Sequence, residues 1–359
     1  MNLLDQLDQS NYDFYFLVVD ELLDISLPEL KNFHSLSAQK LGIEISEKNS
    51  GRLLSHPTTQ QFIKNNSSTT GHTPVIIPFK PSAKIDLICQ QNNWILAANP
   101  THLNRFFEDK IKFYQSFSHL PLIPSTIIKL TPENYSQAQQ KFGSKLVIQT
   151  HFGWAGNSSY ISQNYQDISE LITTGTTVKI SPYLEGYSLI NNCCLTQHGL
   201  IQSPPGLQYT GLSQITSNPL ATVGRQWPSF TPREINLQVE RITQDFTQSL
   251  IEHKYKGFFG LDFFVSNNQV YLIECNPRLT ASFALYTTIE KHHQLTPLFF
   301  LHLAEFINIP TNENTHFHYE LSGSEIVNKK LNRKYQSLQA FSPSANPIAI
   351  PSEIIAKVL

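Results

Sequence analysis

The amino-acid sequence predicts an α/β protein: a doubly wound, partly parallel sheet at the N-terminus, followed by a longer mixed block of strands and helices. Three observations predict it. Short β-rich runs alternate with helical stretches over the first 100 residues, the pattern of strands joined by helical crossovers. Residues 258–275 have the form of a β-hairpin within the second block. A chain of 359 residues also exceeds one small domain, and its 23 Phe, 14 Tyr and 3 Trp supply the apolar area for a large core.

In chain order, residues 14–19 (Phe-Tyr-Phe-Leu-Val-Val), 75–77 (Val-Ile-Ile) and 94–97 (Trp-Ile-Leu-Ala) are the N-terminal strands. The polar segment 65–71, Asn-Asn-Ser-Ser-Thr-Thr-Gly, reads as a flexible loop. Pro100-Thr101 opens a helix reaching residue 117, with Thr101 as its N-cap, and Pro121 and Pro124 close that region. A strand at 145–149 (Lys-Leu-Val-Ile-Gln) runs into the small-residue loop 151–159. A helix near 166–173 follows, then strands near 177–180 and 187–196. Residues 232–252 are helical, with Pro232 suited to the first turn. Strands at 258–265 and 270–275 are joined by Ser266-Asn-Asn-Gln269, where Asn tolerates the left-handed backbone of a tight turn. A helix over 285–306 closes the block. The last 50 residues, polar with several prolines, form an appended strand-and-loop element.

Lys plus Arg number 26 and Asp plus Glu 28, a formal net charge of -2 that argues against a nucleic-acid partner. Only 15% of residues are charged, against roughly 25% in ordinary soluble domains, so a cluster of charge stands out. The early apolar run 14–19 is too short for a signal segment or a membrane span, and no run approaches about 18 residues. The expectation is a cytoplasmic protein with no membrane partner. Cys89, Cys193, Cys194 and Cys275 contain no C-x-x-C, and Cys193 and Cys194 would face opposite sides of a strand. That argues against a zinc site or disulfide scaffold and suits a reducing compartment.

The hairpin carries the chemistry. Counting outward from its turn, Asp262 falls within one residue of lying opposite Glu274, and cross-strand neighbours on one face are roughly 4.5–5.5 Å apart at Cβ. Glu274 and Asn276, two apart, project from the same face. Two carboxylates and an amide oxygen therefore converge among Phe263, Phe264, Leu272 and Ile273. Like charges in apolar surroundings are costly unless a cation neutralises them. A few hard oxygen ligands suit Mg²⁺, which keeps waters and contacts substrate phosphates. Arg278 reaches the same place and offers a planar fork to phosphate oxygens. The alternative for these residues is a solvated strand face with a stray ion pair.

Gly257-Phe-Phe-Gly-Leu-Asp262 followed by Tyr271-Leu-Ile-Glu-Cys-Asn-Pro-Arg278 resembles the metal-binding hairpin of the ATP-grasp superfamily. The run Asn276-Pro-Arg-Leu-Thr-Ala-Ser282 is most similar to its carbamoyl-phosphate-synthetase and amino-acid-ligase branch. The resemblance implies a Rossmann-like domain over 1–108, an ATP-grasp N-lobe with its lid over 109–182, a C-lobe with the metal site over 183–310, and an appended segment over 311–359. It implies ATP and Mg²⁺ as cofactors, and a ligase that phosphorylates a small-molecule carboxylate to an acyl phosphate for attack by an amine. An amino acid on one side and a homodimeric assembly belong to the same implication. Carried over residue by residue, Asp262, Glu274 and Asn276 hold the metal and Arg278 steadies the transferring phosphoryl group as the catalytic residue. Lys110, in Glu108-Asp-Lys110, contacts phosphate, with a plain helix-surface lysine as the alternative. The backbone at Tyr183 and Leu184, in Ile180-Ser-Pro-Tyr-Leu-Glu-Gly186, holds the adenine unless the stretch is an ordinary strand and turn. The loop 151–159 corresponds to the lid over the phosphates.

Two departures accompany the resemblance. The strand before the lid ends in Gln149, where the family places a phosphate-binding lysine, and glutamine cannot neutralise charge. His151, Lys145 or Lys179 is the candidate to replace it. After the hinge stretch the one nearby carboxylate for the ribose is Glu185, with a solvent-exposed turn residue as the alternative. Residues 203–211 and 224–228 read as loops, in a region where the resemblance implies a second-substrate pocket; Arg225 is the candidate to grip a carboxylate, with a plain surface arginine as the alternative. Two rival functions stay open on the sequence: a nucleotide-binding regulator without turnover, and a kinase on the same scaffold.

Overall fold

The computed structural model describes residues 1–153, 158–311, 321–341 and 350–359, and every count below refers to these. The N-terminal sheet has the order Phe33–Leu36, Tyr12–Leu17, Thr73–Pro78, Ile95–Leu96, and all its pairings are parallel. Burial on both faces accounts for the unbroken apolar character of Tyr12–Leu17 and Thr73–Pro78. The expected flexible loop at 65–71 is instead the last turn of the helix Pro57–Thr70. Poor helix formers are held there by tertiary contacts. Asn66 donates to the Tyr15 hydroxyl at 2.8 Å and Thr70 to buried Asp13 at 2.6 Å. Gly71, at φ 73°, ends the helix.

An eight-stranded sheet forms the body. Its path runs Gln269–Asn276, Gly257–Ser266, Tyr187–Thr196, Gly206–Thr210, Thr222–Trp227, Gly323–Asn328, Arg333–Ser337, with Gly199–Gln202 paired to Tyr187–Thr196. Cys193 and Cys194 enter separate hydrophobic clusters on the two faces of their strand, and all four cysteines are free and buried. One face is covered by the helix Arg233–Glu252 through Ile235, Val239, Ile242, Phe246 and Leu250, the spacing of an apolar helical stripe. The other is covered by Phe283–His292 and Leu298–Ile307. These are two helices where the sequence suggested one: the first ends at His292, just before Gln294 takes φ 59°, and the second starts after Pro297.

The stretches 203–211 and 224–228 are largely strand, not loop. Their glycines mark close packing. A Cβ on Gly206 would lie 2.5 Å from the Trp227 ring, and one on Gly224 would lie 2.6 Å from the Glu325 carbonyl. A third sheet, ordered Thr126–Lys129, Thr177–Pro182, Leu146–Gln149, Ser159–Ser162, is antiparallel and carries its own core beneath the helices Pro132–Phe142 and Tyr165–Ser169. His302 joins the N-terminal sheet to the hairpin: it accepts from the Phe258 N–H at 3.0 Å, and its other ring nitrogen lies 3.1 Å from the Ala97 carbonyl. Among the described residues no helix is long and apolar enough to cross a membrane.

Candidate active site

A cavity of about 350 Å³ opens between the small antiparallel sheet and the hairpin. The hairpin has the register the chemistry needs. Asn267 and Asn268 both take positive φ, 50° and 62°, which makes a two-residue turn, and Asp262 pairs directly with Glu274. A bulge between Asp262 and Phe263 then shifts the ladder. Asn276 donates to Asp262 Oδ2 at 3.0 Å, and Gln208 on the adjoining sheet path donates to Oδ1 at 2.8 Å. The Gln208 amide is itself oriented by the Thr222 hydroxyl at 3.1 Å.

Lys110 reaches Glu274 because the helix expected over 101–117 breaks at Asp109. Asp109 leaves helical geometry and caps a new helix, Lys110–Ser116, by accepting from Ile111 and Lys112 N–H at 3.0 and 3.1 Å. The first helix is capped by Pro100, so Thr101 is its first residue and not its N-cap. Lys110 pairs with Glu274 through a short ion pair, and its own N–H donates to the His151 carbonyl at 2.9 Å. The His151 ring lies 2.9 Å from Asp109, which anchors the start of the lid segment to that helix. Residues 154–157, the middle of the expected lid, lie outside the described residues.

The electrostatics follow from burial. Burial pushes the Asp262 carboxyl well up, Glu274's charge adds to it, and the Gln208 and Asn276 donors oppose it. Burial also pushes Glu274 up, but Lys110's charge and hydrogen bond outweigh it, so Glu274 ends below the usual carboxylate range. Lys110 is correspondingly held above the usual lysine range: burial alone would lower it, and Glu274 wins. Lys179 has no carboxylate partner among the described residues, and burial with repulsion from Lys110 lowers it to about 8.

Of the residues singled out from the sequence, Lys110, Gln149, Lys179, Tyr183 and Leu184 line this cavity from one side, and Asp262, Glu274, Asn276 and Arg278 from the other. Glu185 is exposed and does not line it. Gln149 and Lys179 are cross-strand partners, so a cation stands directly beside the glutamine. Lys145 instead lies 3.5 Å over the Tyr183 ring, away from the lining. Tyr183's N–H is taken by the Lys145 carbonyl at 3.0 Å, while the Leu184 N–H has no partner among the described residues. Arg278 donates to Asn276 Oδ1 at 2.8 Å and to Glu108 Oε1 at 3.0 Å. Arg225 is buried at 6% exposure, lines the cavity and lies 3.3 Å from Glu325.

Gln208, Glu108 as an ion-pair partner, and Lys329, which also lines the cavity, were not signalled by the sequence reading. Alternation along Gly206–Thr210 would have put Gln208 on one face with its neighbours two residues away. Lys329 carries no local signal, since it follows a strand that joins the sheet from the far end of the chain.

The description "ATP-grasp domain" matches residues 107–282. The fold is similar to N5-carboxyaminoimidazole synthase from Aspergillus clavatus, solved with ADP and 5-aminoimidazole ribonucleotide: TM-score 0.61, 13% identity, 88% of this chain and 82% of that one. It is similar to biotin carboxylase from Campylobacter jejuni (TM-score 0.61, 12% identity, 87% and 75%). It is also similar to the biotin carboxylase domain of 2-oxoglutarate carboxylase from Hydrogenobacter thermophilus, solved as a dimer with MgADP and bicarbonate (TM-score 0.59, 11% identity, 90% and 71%). At these identities the neighbours establish the fold, and the matched stretch assigns residues 107–282 to an ATP-grasp domain.

Proposed function

We propose that the protein is an ATP- and Mg²⁺-dependent ligase that joins a small carboxylic acid, an amino acid or a close relative, to an amine by way of an acyl phosphate. The observation that carries this reading is the convergence of Asp262, Glu274, Lys110 and Lys179 on one cavity between two sheets. Bare nucleotide binding has no need of a facing carboxylate pair; phosphoryl transfer does, because it depends on positioning and on neutralising phosphate charge.

The donor set fits a magnesium ion. Asp262 is buried against a second carboxylate and receives amide donors only, so it lacks a cation. Two carboxylates and an amide oxygen are few, hard donors, which suits an ion that completes its shell with waters and phosphate oxygens. Asp262 and Glu274 would hold it, with Asn276 Oδ1 as a further oxygen. The ion supplies charge neutralisation at the phosphates. Lys110 and Lys179 neutralise further phosphate charge, Lys179 serving in place of Gln149. The Leu184 N–H is open to the adenine, and Arg278 steadies the phosphoryl group in flight. In the reaction a carboxylate oxygen of the acid attacks the γ-phosphorus and ADP leaves. The amine nitrogen then attacks the acyl carbon, inorganic phosphate leaves, and the nitrogen gives up a proton.

The test is ADP release across a panel of carboxylates crossed with amines, with Glu274→Ala as control. ADP formation that depends on the acid, with product that also depends on the amine, supports the ligase. Wild-type release that stays at the control's rate across the panel removes it. ADP formed with a hydroxyl acceptor and no amine-dependent product would instead indicate a kinase.

A further inference from the structure

A second cavity, of about 560 Å³, lies beyond Arg278. It sits at the C-terminal ends of two parallel strands, touching Val19 after Tyr12–Leu17 and Phe79 and Lys80 after Thr73–Pro78. The chain winds outward from Tyr12–Leu17 to Phe33–Leu36 and then crosses back to Thr73–Pro78. The winding therefore reverses between these two strands, and open parallel sheets form a ligand crevice at such a reversal. The volume is in the range of small-molecule sites.

Its chemistry is that of an anion site. Four cations line it, Lys48, Lys80, Arg105 and Arg278, against one carboxylate, Glu108, an excess of three positive charges. Glu108 is already engaged, by Lys80 at 2.7 Å and Arg278 at 3.0 Å. Lys48 and Arg105 form no ion pair with any described residue. Two hydroxyls in the wall are also unanswered. Ser50 is 2% exposed and Thr101 8%, both line the cavity, and neither hydroxyl oxygen has a hydrogen-bond partner. Buried donors are left in that state at a cost unless a ligand completes them.

We infer that this crevice seats the acid substrate, and that the acid carries a second anionic group besides the carboxylate to be activated. The inference rests on the ligase reading above. Arg278 lines both cavities, so an acid in the crevice places one carboxylate at the edge of the nucleotide cavity. A monoanion would meet Arg278 alone and would leave the reach of Lys48 and Arg105 into the crevice unused. A carboxylate or phosphate at the far end matches them, and Ser50 and Thr101 donate to its oxygens.

The experiment uses the whole protein without nucleotide or Mg²⁺, so it does not depend on turnover. Glutarate, succinate and 3-phosphoglycerate are titrated calorimetrically at fixed ionic strength, with acetate as the monoanion. The expected result is saturable binding of at least one dianion, about tenfold or more tighter than acetate, and weakened about tenfold in Lys48→Ala/Arg105→Ala. Both substitutions are of exposed side chains, so the fold is retained. Lys179→Met, in the nucleotide cavity, should leave this binding intact. Acetate binding as well as the dianions, no dianion binding, an unchanged double variant, or competitive displacement by ATP would each overturn the inference. Persistent dianion binding with no ADP release from any acid would instead remove the ligase reading alone.

Discussion

On one side of the cavity between the hairpin and the small sheet two carboxylates face each other; on the other, Lys179 stands beside Gln149. The hairpin carboxylates are met by counter-groups, Lys110 from a helix at Glu274, and Gln208 from another strand with Asn276 at Asp262. The small sheet supplies none to Lys179, which burial drives down to about 8. The difference separates two kinds of position. A facing carboxylate pair is defined by backbone register, so a one-residue slip would carry one member to the opposite face. A phosphate-binding cation is defined by where its charge ends up, and a long side chain delivers that from either of two neighbouring strands.

The largest effect expected from breaking the hairpin side is with Glu274→Gln. It removes Lys110's partner and a ligand of the proposed metal together. ADP release should fall about 10³-fold, as when a preorganised electrostatic contact is lost at phosphoryl transfer. Circular dichroism should match the wild type. A rate within tenfold of wild type would mean that the hairpin is not the metal-holding wall.

The other side is sharpened by an exchange. Lys179→Gln should raise the KM for ATP by about tenfold or more, the loss of one charge-assisted contact. Adding Gln149→Lys to that variant should recover most of it, because the two positions are cross-strand partners. An equally impaired double variant would show that Lys179 acts through something other than its charge.

The same lysine predicts a pH dependence. Its free-state value of about 8 lies below the ordinary lysine value of 10.5, and bound phosphate would favour the charged form. The complex then holds more protons than the free protein above pH 8, so ATP affinity should fall as pH rises through that point. The decline should be absent in Lys179→Met, and a decline that survives there would belong to another group.

How much of this was legible in the sequence follows the same division. The hairpin was legible because its strands, its Asn-Asn turn and its charged residues lie within 20 residues, where a period of two fixes which side chains meet. A partly parallel N-terminal sheet was likewise visible in the alternation of strands with helical stretches, although the strand Phe33–Leu36 was not. The segments 203–211 and 224–228 were not, because Gly206 and Gly224 look like turn residues. Only the packed Trp227 ring and Glu325 backbone show why no side chain fits there. Lys110's aim was hidden too, since it depends on Asp109 preferring to cap a helix over continuing one. The cation-rich crevice brings Lys48, Lys80 and Arg105 together from separate crossovers, and no local pattern joins them.

The smallest effect should come from Gln208, which touches the hairpin from the strand beyond its neighbour. Its amide donates to Asp262 at 2.8 Å, and its oxygen accepts from Thr222 at 3.1 Å, so the amide is held in one orientation. Gln208→Leu leaves both carboxylates and Lys110 in place but frees one oxygen of Asp262 to turn. A metal ligand that must first be oriented binds less well, whereas a metal already bound does the orienting itself. The apparent Mg²⁺ affinity in ADP release should therefore fall about tenfold, the lower end of what orienting partners around a metal ligand are worth. The rate at saturating Mg²⁺ should stay near wild type. Thr222→Val reaches Asp262 through Gln208, so its effect should have the same sign and be smaller. A Thr222 variant that is the worse of the two would break the chain of orientation from Thr222 to Asp262.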